Sequence, residues 1–273
     1  MQPFLKLEHL IDVKRNLKLY HLSLFNYKFS NVSIFQSYNT FIMKLYTKIF
    51  AFALTALVMV SCVQAQSTET RTPGHFTKVH SGGSWEVILT EGDTEEVRIE
   101  AKGVDLSKVK TEIDGDVLSV GLVKGSYNNV KLKFFITYKE LEGIKCSGSG
   151  NIEVNSPVMT DSFYAALSGS GDITMKSLEA KKLSVGISGS ADLQITNGSA
   201  DQAEIKQSGS GDFDAEKFAI GELVVGKSGS GDTNVGDLGK LSVSSSGSGD
   251  VTYTGSPQLG NIRTSGSSSI TKR

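Results

Sequence analysis

The chain has only two cysteines and no excess of charge of either sign. Among its 273 residues the cysteines are Cys62 and Cys146, and Cys62 ends a hydrophobic stretch, so a disulfide framework is excluded. Lysine and arginine total 28 against 29 aspartates and glutamates. This balance gives neither the basic surface of a nucleic-acid-binding protein nor the acidic excess of a disordered chain, and we expect no nucleic-acid partner.

A five-residue motif, Ser-Gly-Ser-Gly-Asp, recurs through the second half of the chain. It appears first in a variant form that ends in Asn151, and later copies follow at spacings of 21, 20, 20, 20, 18 and 19 residues. A repeat of this length without a helical pattern is typical of a solenoid built from short strands. The sequence therefore predicts an all-β parallel β-helix with about 20 residues per coil. The copies start at Ser147, Ser168, Ser188, Ser208, Ser228, Ser246 and Ser265.

Apolar residues and glycines alternate with polar residues in each repeat. Because side chains alternate faces along a strand, we expect the apolar residues and the glycines to face the core, and the serines and aspartates to face solvent. Stacked coils would then present three ladders as a candidate ligand-facing surface. The first serine row is Ser168, Ser188, Ser208, Ser228 and Ser246; the second serine row is Ser170, Ser190, Ser210, Ser230 and Ser248; the aspartate row is Asp172, Asp192, Asp212, Asp232 and Asp250.

The glycines of the motif predict a corner, because residues without side chains let the backbone bend and approach a neighbouring wall. Carboxylates stacked about 4.8 Å apart repel one another unless cations, hydroxyls or water screen them. Just before the corner, Gln207, Lys227 and Ser245 take the inward place held earlier by Leu167 and Ile187. We expect that point to reach solvent in the later coils.

The N-terminal part contains a targeting signal. A short basic start at Met43 precedes an apolar stretch, 49–60, that is too short to span a bilayer comfortably. We interpret 43–65 as a cleaved export signal. Residues 1–42 are either an unusual N-terminal extension or an artefact of an upstream start codon, and we favour the artefact. Two cleavage routes stay open, because 63–65 fits ordinary signal peptidase whereas 59–62 resembles a lipoprotein box that would lipidate Cys62.

The folded domain is predicted to span 73–273, after a polar linker at 66–72. Alternating patterns predict strands over 85–89, 97–101, 118–120 and 131–138 before the first motif. These strands lack the motif. We interpret them as irregular first coils that close the end of the solenoid.

At these residues the chain resembles the head GIN domain family of auto-transporter adhesins, which occurs in exported proteins of Bacteroidetes-type bacteria. The resemblance covers roughly 73–273 and rests on the repeated corners and three earlier features. These are the strand at Phe76-Thr77-Lys78-Val79, the strand at Asp116-Val117-Leu118-Ser119-Val120, and the lead into the first motif at Leu141-Glu142-Gly143-Ile144. The resemblance implies a right-handed parallel β-helix outside the cytoplasm, with an adhesive or surface role and no catalytic residues to carry over.

Catalytic and metal-binding alternatives have weaker support in the sequence. A carbohydrate-active β-helix needs clustered acids or bases, whereas His75 and His80 lie outside the repeats and the repeated acids form a regular ladder. Calcium sites of the β-roll type repeat about every nine residues, and here one aspartate recurs in each coil. Cys146 is expected to be a buried structural residue, and Trp85 and Tyr127 to be core and loop residues.

We therefore predict a non-enzymatic protein without a cofactor or metal. It would be an exported adhesin or scaffold with one of three locations: free in the periplasm, anchored to the outer membrane, or on the cell surface. Its partner would be a surface glycan or another envelope protein, and it would touch the membrane only through a lipid at Cys62. The alternative is a carbohydrate-active β-helix enzyme or a glycan-binding protein.

Overall fold

The computed structural model describes residues 66–273, together with Met43 and Thr47. The predicted extension and Cys62 lie outside the described residues, as does the predicted export signal apart from Met43 and Thr47. Residues 66–273 form one sheet with a 3-10 turn at Leu106–Lys108. The strands before the repeats are β1 (Ser67–Arg71), β2 (Lys78–Ser81), β3 (Glu86–Glu91), β4 (Glu96–Lys102), β5 (Val109–Asp114), β6 (Val117–Leu122), β7 (Lys131–Tyr138), β8 (Gly143–Gly148) and β9 (Ile152–Val154). They are followed by β10 (Val158–Gly169), β11 (Ile173–Met175), β12 (Leu178–Gly189), β13 (Leu193–Ile195), β14 (Gly198–Gly209), β15 (Phe213–Ala215), β16 (Phe218–Gly229), β17 (Thr233–Gly247), β18 (Val251–Gly266) and β19 (Ile270–Lys272).

From β8 onward the chain winds as a parallel β-solenoid, as the motif spacing predicts. Each coil has one long and one short strand, and long strands pair with long strands in register, for example Phe163 with Leu183. Short strands pair in the same way, so that Ile173 lies between Ile152 and Leu193. In β17 and β18 the short and long strands merge into continuous strands of 15 and 16 residues.

The core lies inside the solenoid and is filled by the alternating apolar residues. In β10 the buried side chains are Val158, Phe163, Ala165 and Leu167, whereas Ser162 and Tyr164 are exposed. The row of Phe163 continues through the later coils, where Leu223 and Leu241 are fully buried. Side-chain alternation therefore set the faces of these strands correctly.

The N-terminal strands close one end of the solenoid, but they are not stacked in chain order. Strand β2 pairs in parallel with β6 on one side and β8 on the other, and β3 lies likewise between β7 and β9. The coil of β2 and β3 is therefore inserted between two later segments of the chain. Beyond it the pairing becomes antiparallel, β4 with β7 and β5 with β6. The predicted irregular coils are thus partly antiparallel.

The segment 66–72 forms a strand and is not the linker predicted from its polar composition. Strand β1 pairs antiparallel with β4, from Ser67 opposite Ala101 to Arg71 opposite Val97. The Arg71 guanidinium donates hydrogen bonds to the carbonyl oxygens of Val109 at 2.7 Å and Leu106 at 2.8 Å. This polar segment is ordered because its backbone pairs with β4 and because Arg71 donates hydrogen bonds to two carbonyl oxygens.

Candidate functional site

Both serine rows lie at the surface of the solenoid. Every serine of the two rows is exposed. In the first row Ser168 pairs with Ser188, and Ser208 pairs with Ser228, so the hydroxyls stack coil above coil. The second row is fixed by the backbone, because its N–H groups donate to the first glycine of the preceding coil, with Ser170 2.9 Å from the Gly148 oxygen. The outward orientation predicted for the serines is therefore correct.

The aspartates form a chain of hydrogen bonds that runs along the solenoid. The Oδ1 atom of Asp172 accepts the backbone N–H of Asp192 at 3.0 Å, and Asp192 accepts that of Asp212 at 2.8 Å. In the same way, Asp212 accepts the N–H of Asp232 at 2.6 Å, and Asp232 accepts the N–H of Asp250 at 2.8 Å. The aspartate row thus joins successive coils.

The ends of the aspartate row show why the carboxylates can stack. The row begins at Asn151, whose side-chain oxygen accepts the N–H of Asp172 at 3.0 Å. It ends where Asp250 accepts the N–H of Ser269 at 2.8 Å, and this hydrogen bond lowers the pKa of the Asp250 carboxyl. Backbone N–H groups therefore stabilise the charged form directly, a source of compensation that the sequence did not reveal.

The glycines let the backbone approach the neighbouring coil, as predicted, but only the second glycine of each motif faces the core. The first glycine of each motif does not face the core, since Gly169, Gly189 and Gly209 are exposed and have φ of +130°, +107° and +122°. A Cβ at Gly209 would lie 2.3 Å from the carbonyl oxygen of Gly189. The second glycine, for example Gly171, is buried, and its Cβ would lie 2.1 Å from the Gly150 oxygen. The missing side chains make room for the backbone of the neighbouring coil.

The residue just before each corner stays inside the solenoid, contrary to the prediction for the later coils. Gln207, Lys227 and Ser245 are at most 5% exposed. Gln207 and Lys227 find acceptors inside, because carbonyl groups of the corners point inward within reach of a long side chain. Cys146 holds the same position in the first repeat, where its Sγ donates to the Gly150 oxygen at 3.1 Å. Cys146 is buried, as predicted for a structural residue, and burial raises the pKa of its thiol.

A groove of about 280 Å³ runs along the aspartate row, and its other wall was not predicted from the sequence. The side chains two residues beyond each aspartate share its face and stack in the same register, as Thr174 does with Gln194. The rule that i and i+2 share a face could have found them. The added wall consists of Thr174, Gln194, Asp214 and Asn234.

A second groove, of about 680 Å³, lies over the first residues of β10, β12 and β14. Met159 at its rim is 82% exposed. The Lys181 Nζ lies 2.7 Å from Asp161 Oδ1, which balances one acid. The remaining carboxylates, from Glu140, Glu142, Glu179 and Asp201, give this groove a negative potential.

An earlier corner, which the motif did not predict, lies at 81–85. Gly83 lies against Gly148, and its carbonyl oxygen accepts the N–H groups of Ser149 and Gly150. Trp85 is partly buried against the core, with its ring edge-on to Phe134 at 6.2 Å, which confirms its predicted role. Tyr127 lies in the loop after β6 and donates to the Val123 oxygen. Residues 81–84 read Ser-Gly-Gly-Ser, an incomplete form of the motif that could have indicated this corner.

The two histidines among the described residues, His75 and His80, each have one polar hydrogen-bond partner there. His75 Nδ1 lies 2.8 Å from Glu95 Oε1, and His80 Nε2 lies 2.9 Å from Ser147 Oγ. Burial, followed by the charge of Lys145, lowers the pKa of His80. In the described part of the chain no carboxylate hydrogen-bonds the other ring nitrogen of His80, so the pair lacks the third group that orients a catalytic base.

Within residues 66–273, no group of three or more histidine, cysteine or acidic side chains is arranged to hold a metal ion. No helix among the described residues is long and apolar enough to cross a membrane.

Comparison with known families assigns the chain. The model of the family described as "Putative auto-transporter adhesin, head GIN domain" matches residues 75–257, which include the corners from Ser147 to Asp250. The chain belongs to this family. The match leaves out the N-terminal residues that the sequence predicts to be a targeting signal. No curated protein matches the chain.

Solved structures share the fold of this head GIN domain protein. A protein of Bacteroides fragilis described as a putative adhesin is 20% identical, with a TM-score of 0.71 over 77% of this chain and 98% of its own. A Parabacteroides distasonis structure described as a putative lipid binding protein has 20% identity and a TM-score of 0.61, with coverage of 77% and 98%. A putative adhesin of Parabacteroides merdae has 20% identity and a TM-score of 0.58, with coverage of 77% and 97%.

Proposed function

We propose that the protein is a non-enzymatic, exported binding module of the cell envelope or cell surface, and that it binds through the outward serine and aspartate rows. The observation that carries this proposal is the array itself. Exposed hydroxyls of Ser168, Ser188, Ser208 and Ser228 repeat in register beside a groove lined by carboxylates and amides. A repetitive array of this kind is suited to a repetitive partner.

We infer that the partner is a surface glycan, with another envelope protein as the alternative. Hydroxyl, carboxylate and amide groups at the spacing of one coil, about 4.8 Å, can each donate to or accept from sugar hydroxyls. The family and its adhesin neighbours support an adhesive role. One neighbour is named for lipid binding, but bulky buried side chains such as Phe163 and Phe213 fill the interior here, which favours surface binding.

A glycan array with the purified protein tests the proposal. Alanine at both Ser208 and Ser210 should weaken retention of the bound glycan, because it removes two hydroxyls from the centre of the rows. The matched control is Ser184→Ala, an exposed serine in the long strand β12, away from the corner. Equal retention by all three proteins would refute binding through the serine rows. Release of a shorter sugar would instead support the carbohydrate-active enzyme.

We propose export through the signal at 43–65, with lipidation of Cys62 as one of the two routes. Growth with a radioactive fatty acid separates these routes, because only a lipoprotein incorporates the label. Wild type should be labelled and Cys62→Ala should not. If neither protein carries label, the lipid anchor is excluded and cleavage by ordinary signal peptidase is the route that stands.

A further inference from the structure

A run of buried polar side chains lies inside the later coils, where a β-solenoid core is otherwise apolar. We call Gln207, Lys227, Thr233 and Ser245 the polar seam. Each of them is at most 5% exposed. A buried polar group lowers stability unless it is hydrogen-bonded, and a buried charge lowers it more. The hydrogen-bond partners of each residue of the polar seam therefore decide whether its burial is compensated.

In the first part of the polar seam, around Gln207, the buried polar groups are hydrogen-bonded to one another or to backbone carbonyls. Gln207 Nε2 donates to the Gly211 oxygen at 3.1 Å and to the Asp232 oxygen at 3.0 Å. Its side-chain oxygen accepts the hydroxyl of Thr233. The amide of Gln207 thus has partners for both of its N–H donors and for its oxygen.

In the second part of the polar seam, around Lys227 and Ser245, hydrogen-bond donors lack partners among the described residues. Lys227 Nζ donates to the Asp250 oxygen at 2.8 Å, which is its one hydrogen bond within residues 66–273, although an ammonium has three N–H donors. Ser245, its register partner in the next coil, has a buried hydroxyl without a partner in the described chain. Serine is much shorter than lysine or glutamine, so it does not reach a carbonyl of the following corner.

A third buried polar group, the hydroxyl of Ser268, lies in the coil that follows that of Ser245. Ser268 takes the place that Gly249 holds in the preceding corner, as the pairing of Gly247 with Gly266 shows. Its Oγ is buried and, like that of Ser245, has no hydrogen-bond partner in 66–273. Two unpaired hydroxyls and an ammonium with spare donors therefore belong to adjacent coils at the same corner.

The charge of Lys227 is not fully compensated. Burial lowers the pKa of Lys227, and this effect outweighs the opposing effect of the carboxylates of Asp232, Asp250 and Asp212. Those carboxylates belong to the outward row and make hydrogen bonds with backbone N–H groups. Inside the solenoid, the groups left to be satisfied are all able to donate.

We propose that Lys227, Ser245 and Ser268 form an interior site for a monovalent anion of the chloride class. The ammonium and the two hydroxyls donate hydrogen bonds to the ion, and the ion supplies the negative charge that the buried lysine lacks. A halide suits the site because it accepts hydrogen bonds and donates none. The site is distinct from the serine and aspartate rows, and it does not depend on what those rows bind.

The test is thermal unfolding of the full-length protein after exchange into chloride-free buffer. Sodium chloride and sodium gluconate are compared at equal ionic strength, with bromide as a second halide. Chloride and bromide should raise the Tm by several degrees over gluconate, and the effect should saturate as a binding site fills. Identical melting in chloride and gluconate would overturn the proposal, and so would a chloride effect that rises without saturation.

Three variants locate the effect. Lys227→Met should abolish the halide-dependent rise in Tm, and Ser245→Ala should reduce it by half or more. Ser244→Ala, an exposed serine next to Ser245, should retain the full rise. If the Lys227 variant does not fold, the comparison of Ser245→Ala with Ser244→Ala decides alone. A full chloride effect in Ser245→Ala would place the ion elsewhere and refute this site.

Discussion

Alanine at Asp212 removes the acceptor that joins two coils of the aspartate row. The carboxylate accepts the Asp232 N–H at 2.6 Å, and a hydrogen bond to a charged group contributes about 1.5–3 kcal/mol. For a chain of this size 1 kcal/mol corresponds to roughly 2–4 °C, so the Tm should fall by roughly 3–12 °C. Asparagine keeps a side-chain oxygen, as Asn151 does for Asp172. Asp212→Asn should therefore cost less than about half as much, because charge assistance roughly doubles such a bond.

The assay is thermal unfolding followed by far-UV circular dichroism. Asp214→Ala is the matched control, because it removes a carboxylate from the same coil that makes no hydrogen bond within the described residues. Asp214 stacks between the neutral side chains of Gln194 and Asn234, and the Tm should stay within about 2 °C of wild type, as for most surface substitutions. If Asp212→Ala and Asp214→Ala melt alike, or if Asp212→Asn is as damaging as alanine, the aspartate row does not join the coils as argued.

Two further predictions concern the corner and the polar seam. Gly209→Ala should lower the free energy of unfolding by more than about 2 kcal/mol, because a left-handed φ of +122° is strained for alanine and its Cβ would lie 2.3 Å from the Gly189 oxygen. Gly186→Ala, whose Cβ meets nothing within 4 Å, should be neutral in the same denaturant titration, and equal losses would contradict the steric argument. Because burial lowers the pKa of Lys227 from its usual 10.5, the unfolded chain binds more protons between the two values. The stability of wild type relative to Lys227→Met should therefore rise as the pH increases towards 10.5. Taking this difference cancels the opposite contribution of Tyr138, whose pKa burial raises to about 12, and a flat difference in chloride-free buffer would show that burial does not lower the pKa of Lys227.

The fold could be predicted from the sequence to a large extent because its signals are local. The period of the motif set the coil length, and alternation set the inward rows, so that Phe163 and Leu183 were placed in the core before their pairing was known. The N-terminal cap could not be ordered in this way. Strand β2 lies between β6 and β8, and such an insertion depends on which edges are free once the later strands have formed.

The candidate site was predicted only in its orientation. The serines and aspartates face outward as alternation requires, but the wall formed by Gln194 and Asn234 was missed because those positions vary in residue type from coil to coil. Gln207 and Lys227 were predicted to reach solvent, since polarity was the only local signal. Their burial depends on carbonyl oxygens of Asp232 and Asp250, more than 20 residues further along the chain.

The sequence alone determined the repeat, the parallel solenoid and the faces of its strands, because these follow from a spacing and an alternation within a single coil. The tertiary structure decided what each motif residue does. Gly209 is needed because the backbone of Gly189 lies against it, and Asp212 because the N–H of Asp232 lies above it. These contacts join residues about one coil apart, so no single repeat contains the information, and only the stacking of coils supplies it.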